Sequence, residues 1–330
     1  MKKLHIPLRV VVLSLFFLSY LYGENLFEGV SCVAAEREKL LVVATLFPQY
    51  DFARRIAGDL ATVEMLLPPG VEGHMFDPRP GDIRLLNGAD LFIFTGEGME
   101  PWAGRILDAL DNEGLVVVDA SSGIELHDTE SHDHGDDPHV WLDPALAMEM
   151  VDNIADGLCR RDPINAEVYM KNARAYRAEL EKLDGEFAVA AGRKSGSEIP
   201  VMRFRGPLNL DTLVFGGPFA YIYFLERYGL KYVTAWENCS AEGEPGIRRI
   251  ADVIRYMRNN DVRFIFYDPL EDSKVARSIA EQAGAELLSF HTAHSVGRPE
   301  FEAGITYLDL MRNNLENVKK ALNRRYGVEF

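Results

Sequence analysis

The stretch DPINAEVYMKNARAYRAELEKLDGEFAVA, residues 162–190, decides the fold. Its apolar positions, Ala166, Tyr169, Ala173, Tyr176, Leu180, Leu183 and Phe187, are spaced 3, 4, 3, 4, 3 and 4 residues apart. That spacing draws one unbroken stripe along an α-helix. Asp162 suits the N-cap, and Pro163 suits the first helical position, where a missing N–H does no harm. Continued to about Ala191, the helix is roughly 40 Å long at 1.5 Å per residue. A helix of that length can cross a whole domain face, so it reads as a rigid strut between two lobes.

On its N-terminal side, LLVVAT (40–45), TVEMLL (62–67), DLFIFTG (90–96) and LVVVDA (115–120) read as buried strands. They alternate with helical segments at 48–59, 80–90 and 101–110. On its C-terminal side, strands are expected near 199–204, 212–216, 231–235, 262–267 and 285–290, with helices near 219–228, 246–258, 272–283 and 300–323. Alternation of this kind implies parallel sheets covered by helices on both faces. The expected fold is therefore α/β: two lobes, each with a mainly parallel sheet and flanking helices, bridged by one long helix. The lobes span 36–160 and 193–330, the bridge spans 161–192, and residues 1–35 form an export signal and flexible N-terminus.

The signal rests on Lys2, Lys3 and Arg9 ahead of VVVLSLFFLSYLYG, an apolar run too short for the ~20 residues of a membrane-spanning helix. Cleavage follows Gly23 or Ala35, or Cys32 is acylated as a lipid anchor. Cys159 and Cys239 either pair, as export permits, or are separately buried thiols. The chain of 330 residues is long enough for two domains, and its formal net charge of −16 argues against nucleic acid while suiting cations.

In open α/β sheets, ligands bind beyond the carboxyl ends of the strands. Histidines cluster there. His74, in PPGVEGHMFDP, follows the second strand, and His139, in DPHVWLDP, follows the fourth. His291 and His294, in SFHTAHSVG, follow the last strand of the second lobe. Imidazole is the commonest metal ligand and suits Zn, Cu, Fe and Ni. His127, His132 and His134 lie instead in an acidic loop, 125–138, which either concentrates cations near the cleft or is a solvated insertion. The chain contains no Ser–His–Asp order, Walker loop or HExxH pattern.

These residues stand in longer stretches, TLFPQYDFARRIAGD, LLPPGVEGHMFDPRPGDIRLLNGADLFIFTGEGMEPW, DPHVWLDP, FLERYGL and GEPGIRRIADVIRYMRNNDVRFIFYDP. Together they resemble the periplasmic metal-binding proteins of ABC importers for zinc and manganese, over nearly all of residues 40–325. The resemblance implies a metal in the cleft between the lobes and limited lobe motion on binding. The family's first and second ligands fall on His74 and His139, and its fourth falls near His294, with His291 as an alternative. Its third falls on Pro218, preceded by Gly216 and Gly217, none of which has a ligating side chain. Asp268, in FYDP, stands near the cleft as an oxygen donor, or a water takes that place.

The function implied is an extracytoplasmic receptor, in the periplasm or on the outer face of the cytoplasmic membrane. It would bind Zn²⁺, or Mn²⁺ or Fe²⁺, and deliver it to the membrane permease of an ABC importer, with no reaction catalysed. The alternatives are a divergent paralogue serving as a surface adhesin, and a metal-dependent hydrolase using Glu72 or Asp268 as base.

Overall fold

β-Branched and aromatic runs make the strands, and the central strand of each sheet is buried nearly throughout because helices cover both faces. The computed structural model describes residues 39–71, 73–74, 76–127, 136–193, 211–236, 245–271 and 273–323. The first sheet contains β1 (Leu40–Ala44), β2 (Ala61–Met65), β3 (Leu91–Phe94) and β4 (Val116–Asp119). Its order is β2-β1-β3-β4, all parallel. The second contains β5 (Thr212–Phe215), β6 (Lys231–Thr234), β7 (Phe264–Tyr267) and β8 (Glu286–Ser289). Its order, β6-β5-β7-β8, again all parallel, repeats the first. The two sheets share a topology that no sequence repeat announces. The strand expected at 199–204 lies outside the described residues, as do the export signal, Cys32, Glu72, His132, His134 and Cys239.

The helices are α1 (Phe47–Ala57), α2 (Pro80–Asn87), α3 (Ala103–Leu107), α4 (Pro144–Arg161), α5 (Ala166–Ala190), α6 (Ile222–Tyr228), α7 (Ile247–Asn259), α8 (Lys274–Ala283), α9 (Arg298–Glu302) and α10 (Tyr307–Asn323). The strut is α5. Tyr169, Ala173, Tyr176, Leu180, Leu183 and Phe187 of its stripe are buried. It packs on α1 and α4 from one half and on α10 from the other.

Three local expectations need correction. Asp162 does not cap the strut with its side chain. It closes α4 through its N–H, which donates to Leu158 O at 2.8 Å, and its carboxylate accepts the Tyr169 hydroxyl at 3.0 Å. A short 3₁₀ turn, Pro163–Asn165, then intervenes before α5. Second, α4 itself, with 18 residues, stands where no helix was expected. Asp143 caps it, accepting from Ala145 N at 2.7 Å. Third, the closing helix is broken into α9 and α10, because Gly304 between them adopts φ +77, a conformation open to glycine.

Lys39–Phe330 forms one compact unit. A continuous apolar core runs from Val42, Phe92 and Trp141 through Phe187 to Phe215, Phe290 and Tyr307, so the two sheets share it. A smaller cluster, with Val214, Val253, Met257, Ile265 and Ile279, lies beneath α7 and α8. Among the described residues no helix is long and apolar enough to cross a membrane.

Candidate metal centre

Each sheet has a point where its strand order reverses, between β1 and β3 in the first and between β5 and β7 in the second, and ligands collect at such points. In the second sheet the segments leaving that point carry Pro218 and Ala220 after β5, and Asp268 and Glu271 after β7. These four line one cavity together with His74, beyond β2, His139, beyond β4, and Thr292 and His294, beyond β8. The cavity is about 20 Å³, room for one water-sized sphere. A single ion fits it and an organic metabolite does not.

His139 is nearly fully buried and its ring is held from behind. Asp137 Oδ1 lies 2.8 Å from His139 Nδ1 and also accepts the His139 backbone N–H at 2.9 Å. A carboxylate only accepts, so the neutral ring carries its proton on Nδ1 and keeps the Nε2 lone pair available. The His74 ring stands 5.7 Å away, centroid to centroid, at 61°.

His294 has an analogous support one step longer. Its Nδ1 lies 2.6 Å from Thr292 Oγ1, which donates at 2.5 Å to Asp268 Oδ2. The hydroxyl has a single proton and gives it to Asp268, so it accepts from His294 Nδ1–H and again leaves Nε2 unprotonated. Asp268 also takes Thr292 N at 2.9 Å and Leu270 N at 2.9 Å, so both of its oxygens are engaged. Between Thr292 and His294, Ala293 adopts φ +58. A non-glycine residue there carries strain of about 1–3 kcal/mol, which the surrounding structure must hold.

The segment His291–Ser295 is tied to the opposite half at three points. Trp141 Nε1 donates to Thr292 O at 2.7 Å, Phe47 N to His294 O at 3.2 Å, and Gly70 N to Ser295 Oγ at 2.9 Å. His291 exchanges hydrogen bonds with Asn314, through its backbone N at 2.8 Å and O at 2.9 Å, and is not among the residues lining the cavity. Gly216 lies so close to α8 that a Cβ there would approach Ala276 Cβ at 2.7 Å and its Cα at 2.9 Å, which bars a larger side chain.

His127 is engaged elsewhere. Its Nε2 lies 2.9 Å from Glu226, its ring is 4.7 Å from that of Tyr223, and it forms an antiparallel bridge with Asp137. The Tyr223 hydroxyl accepts from His127 N at 3.0 Å and donates to Asp137 O at 2.5 Å. His127 thus closes the stem of the acidic loop. Cys159 donates its thiol hydrogen to Ala166 O at 3.7 Å.

Sequence reasoning passed over Asp137, Thr292 and Glu271. Asp137 was accessible as the neighbour of DPHV, since buried ligating histidines need an acceptor behind them. For Glu271 the only signal was a second carboxylate three residues beyond Asp268 at a strand end. Among the described residues, no three His, Cys, Asp or Glu side chains already stand at the spacing of a metal centre.

The first sheet's reversal point is filled differently. Glu100 is fully buried there, accepting from Thr45 Oγ1 at 2.5 Å and Thr95 N at 3.0 Å, and burial pushes its carboxyl up to about 8. The adjoining Trp102 Nε1 donates to Gly73 O at 3.2 Å, and a Cβ on Gly73 would come within 2.7 Å of Met99 Cε. This segment therefore braces the loop that carries His74.

Residues 42–321 match the family described as ZnuA, zinc-uptake complex component A, periplasmic. The chain belongs to that family. It is 32% identical over 324 residues to the high-affinity zinc uptake system protein ZnuA of Bacillus subtilis strain 168, covering 94% of this chain and 96% of that one. Its fold is similar to the Zn(II)-bound ZnuA-like domain of Streptococcus pneumoniae AdcA, with TM-score 0.71, 28% identity, and coverage of 86% of this chain and 99% of that domain. It is also similar to the laminin-binding protein Lmb of Streptococcus agalactiae, described as a bifunctional protein with adhesin and metal transporting activity. There the TM-score is 0.72 at 28% identity, over 86% of this chain and 100% of that one. Full-length AdcA of S. pneumoniae strain R6 is longer, and this chain spans 56% of it.

Proposed function

We propose that this member of the ZnuA family is an extracytoplasmic receptor that binds Zn²⁺ in the cavity between the two sheets and delivers it to an ABC permease. The observation that carries the reading is that His74, His139 and His294 line one ion-sized cavity, with the Nδ1 atoms of His139 and His294 each held by a neighbouring oxygen, of Asp137 and Thr292. His74, His139 and His294 supply nitrogen, and Asp268 stands at the site behind Thr292. A nitrogen-rich set of this kind favours zinc, with Mn²⁺ and Fe²⁺ bound more weakly.

The ion is cargo, and no reaction is catalysed. Of the two bases a hydrolase reading offers, Glu72 and Asp268, the second already accepts from three donors. The lobes at 36–160 and 193–330 are the units that shift when the ion enters, with 161–192 as their common spine. His132 and His134 act with the acidic loop as a feeder, and Cys32 is a lipid anchor that metabolic labelling with a fatty acid tests.

The reading is tested by titrating the chelator-stripped protein with zinc, beside His74→Ala, His139→Ala and His294→Ala. One ion should bind to the native chain, with weaker binding in each variant. Protons compete for the ring nitrogens, so affinity should also fall with acid. Unchanged binding in all three variants would reject the site.

A further inference from the structure

His139 belongs to the first lobe, yet helix α6 of the second lobe grips its segment on both sides. Upstream, the buried Tyr223 sets its hydroxyl at the base of the acidic loop, accepting from His127 N at 3.0 Å and donating to Asp137 O at 2.5 Å. Three residues on, Glu226 meets His127 Nε2 at 2.9 Å. Downstream, Arg227 Nε lies 3.5 Å from Asp143 Oδ1. The same guanidinium makes two hydrogen bonds to Asp184 on the strut, at 3.0 and 2.7 Å. Tyr223, Glu226 and Arg227 are spaced i, i+3 and i+4, so they share one face of the helix. Another face is fixed by Phe224, whose ring is 5.0 Å from that of Phe187 on the strut and 5.0 Å from that of Phe290 beyond β8.

Asp137 is where this grip reaches His139. Its N–H donates to His127 O at 2.9 Å, its carbonyl accepts from Tyr223, and its Oδ1 takes both the backbone N–H and Nδ1 of His139. Pinning the peptide groups on either side of Asp137 fixes the backbone from which its carboxylate projects. Without the phenol, the Asp137–Pro138 peptide can swing and carry Oδ1 with it. We propose that Tyr223 is a positioning residue for His139, acting through Asp137, so that a side chain of the second lobe sets the ring of a first-lobe imidazole. The effect on affinity rests on the reading of the cavity as a zinc site; the effect on the ring stands on the contacts alone. His139 is then fully held only while α6 is docked on the loop stem, which links its readiness to the approach of the two lobes.

The test uses the full mature chain. Tyr223→Phe keeps the ring and removes the oxygen. In the chelator-stripped protein, nitrogen NMR of the imidazoles reads the His139 tautomer and the exchange of its Nδ1 proton. Tyr223→Phe should mix the tautomers and speed that exchange, as Asp137→Asn does more strongly. Zinc affinity, measured by competition with a chromogenic chelator, should weaken by roughly 10-fold, the low end for groups that support a metal-ligating histidine. The double variant should be little worse than Asp137→Asn alone, because the two residues act in series. Tyr169→Phe removes a different buried hydroxyl, the one bonded to Asp162, and should leave the His139 signal and the affinity native. An unchanged His139 signal in Tyr223→Phe overturns the proposal, as do losses that add to those of Asp137→Asn or an equal ring change in Tyr169→Phe. His139→Ala separates the two levels: if it binds zinc as the native chain does, the zinc reading falls, while the ring signal of Tyr223→Phe still decides the positioning role.

Discussion

Asp137 and Thr292 hold the rings of His139 and His294, so on the proposed zinc reading their removal should be felt in affinity more than in folding. Asp137→Asn keeps the size of the side chain but frees the His139 tautomer; we expect about 10-fold weaker zinc binding by calorimetry, within the range for such supporting groups. Asp268 and Thr292 form one chain to His294. Asp268→Asn and Thr292→Val should therefore weaken binding by similar factors, and the double variant should be little worse than either. Additive losses would instead make Asp268 a ligand in its own right. Glu100 offers a test in pH. Its carboxyl, pushed up to about 8 by burial, stays protonated in the folded chain at neutral pH while the unfolded chain ionises near the ordinary 4.5. Folding then takes up a proton between those values, and stability falls as pH rises across them by up to about 1.4 kcal/mol per unit from this group. Glu100→Gln should flatten that part of the stability profile, measured by urea unfolding of native and variant side by side.

At the level of elements, the strut was legible because Tyr, Leu and Phe at helical spacing mark a face plainly. The preceding helix α4 was not, although Ala147, Met150, Val151, Ile154, Ala155 and Leu158 follow the same period. Three of its eight buried residues, Ala147, Ala155 and Gly157, are alanine or glycine, which carry little apolar weight in a sequence but allow close approach. Gly157 shows why small residues are needed: a Cβ there would overlap Val118 Cγ2 on β4 and lie 3.6 Å from Leu91 Cδ1 on β3. Gly157→Ala should gain up to about 1 kcal/mol in helix propensity yet lose more through overpacking, typically about 1–3 kcal/mol. The expected outcome is a lower urea midpoint with an unchanged slope. A higher midpoint would show that α4 can move off the sheet freely.

Across the whole molecule, one core joins both sheets, and the donors of the cavity come from both. Zinc should therefore stabilise the chain as a unit. At zinc 1,000-fold above Kd the gain is about 4 kcal/mol, seen as a single thermal transition that moves up with zinc and returns on adding chelator. Two transitions, with only one responding, would mean that the halves melt apart. The sequence by itself determined the alternating α/β pattern, the long helix, and the placing of His74, His139 and His294 at strand ends, since these follow from local periodicity and from where strands stop. Only the tertiary structure decided that the two sheets repeat one topology, that His127 closes a loop stem while Asp137 and Thr292 steady the rings, and that Glu271 and Pro218 line the same cavity. The matched topologies and the shared cavity join residues far apart in the chain, which local periodicity does not specify; the supports of His139 and His294 lie only two residues away, but which partner a ring takes depends on rotamer and burial, which the folded core sets.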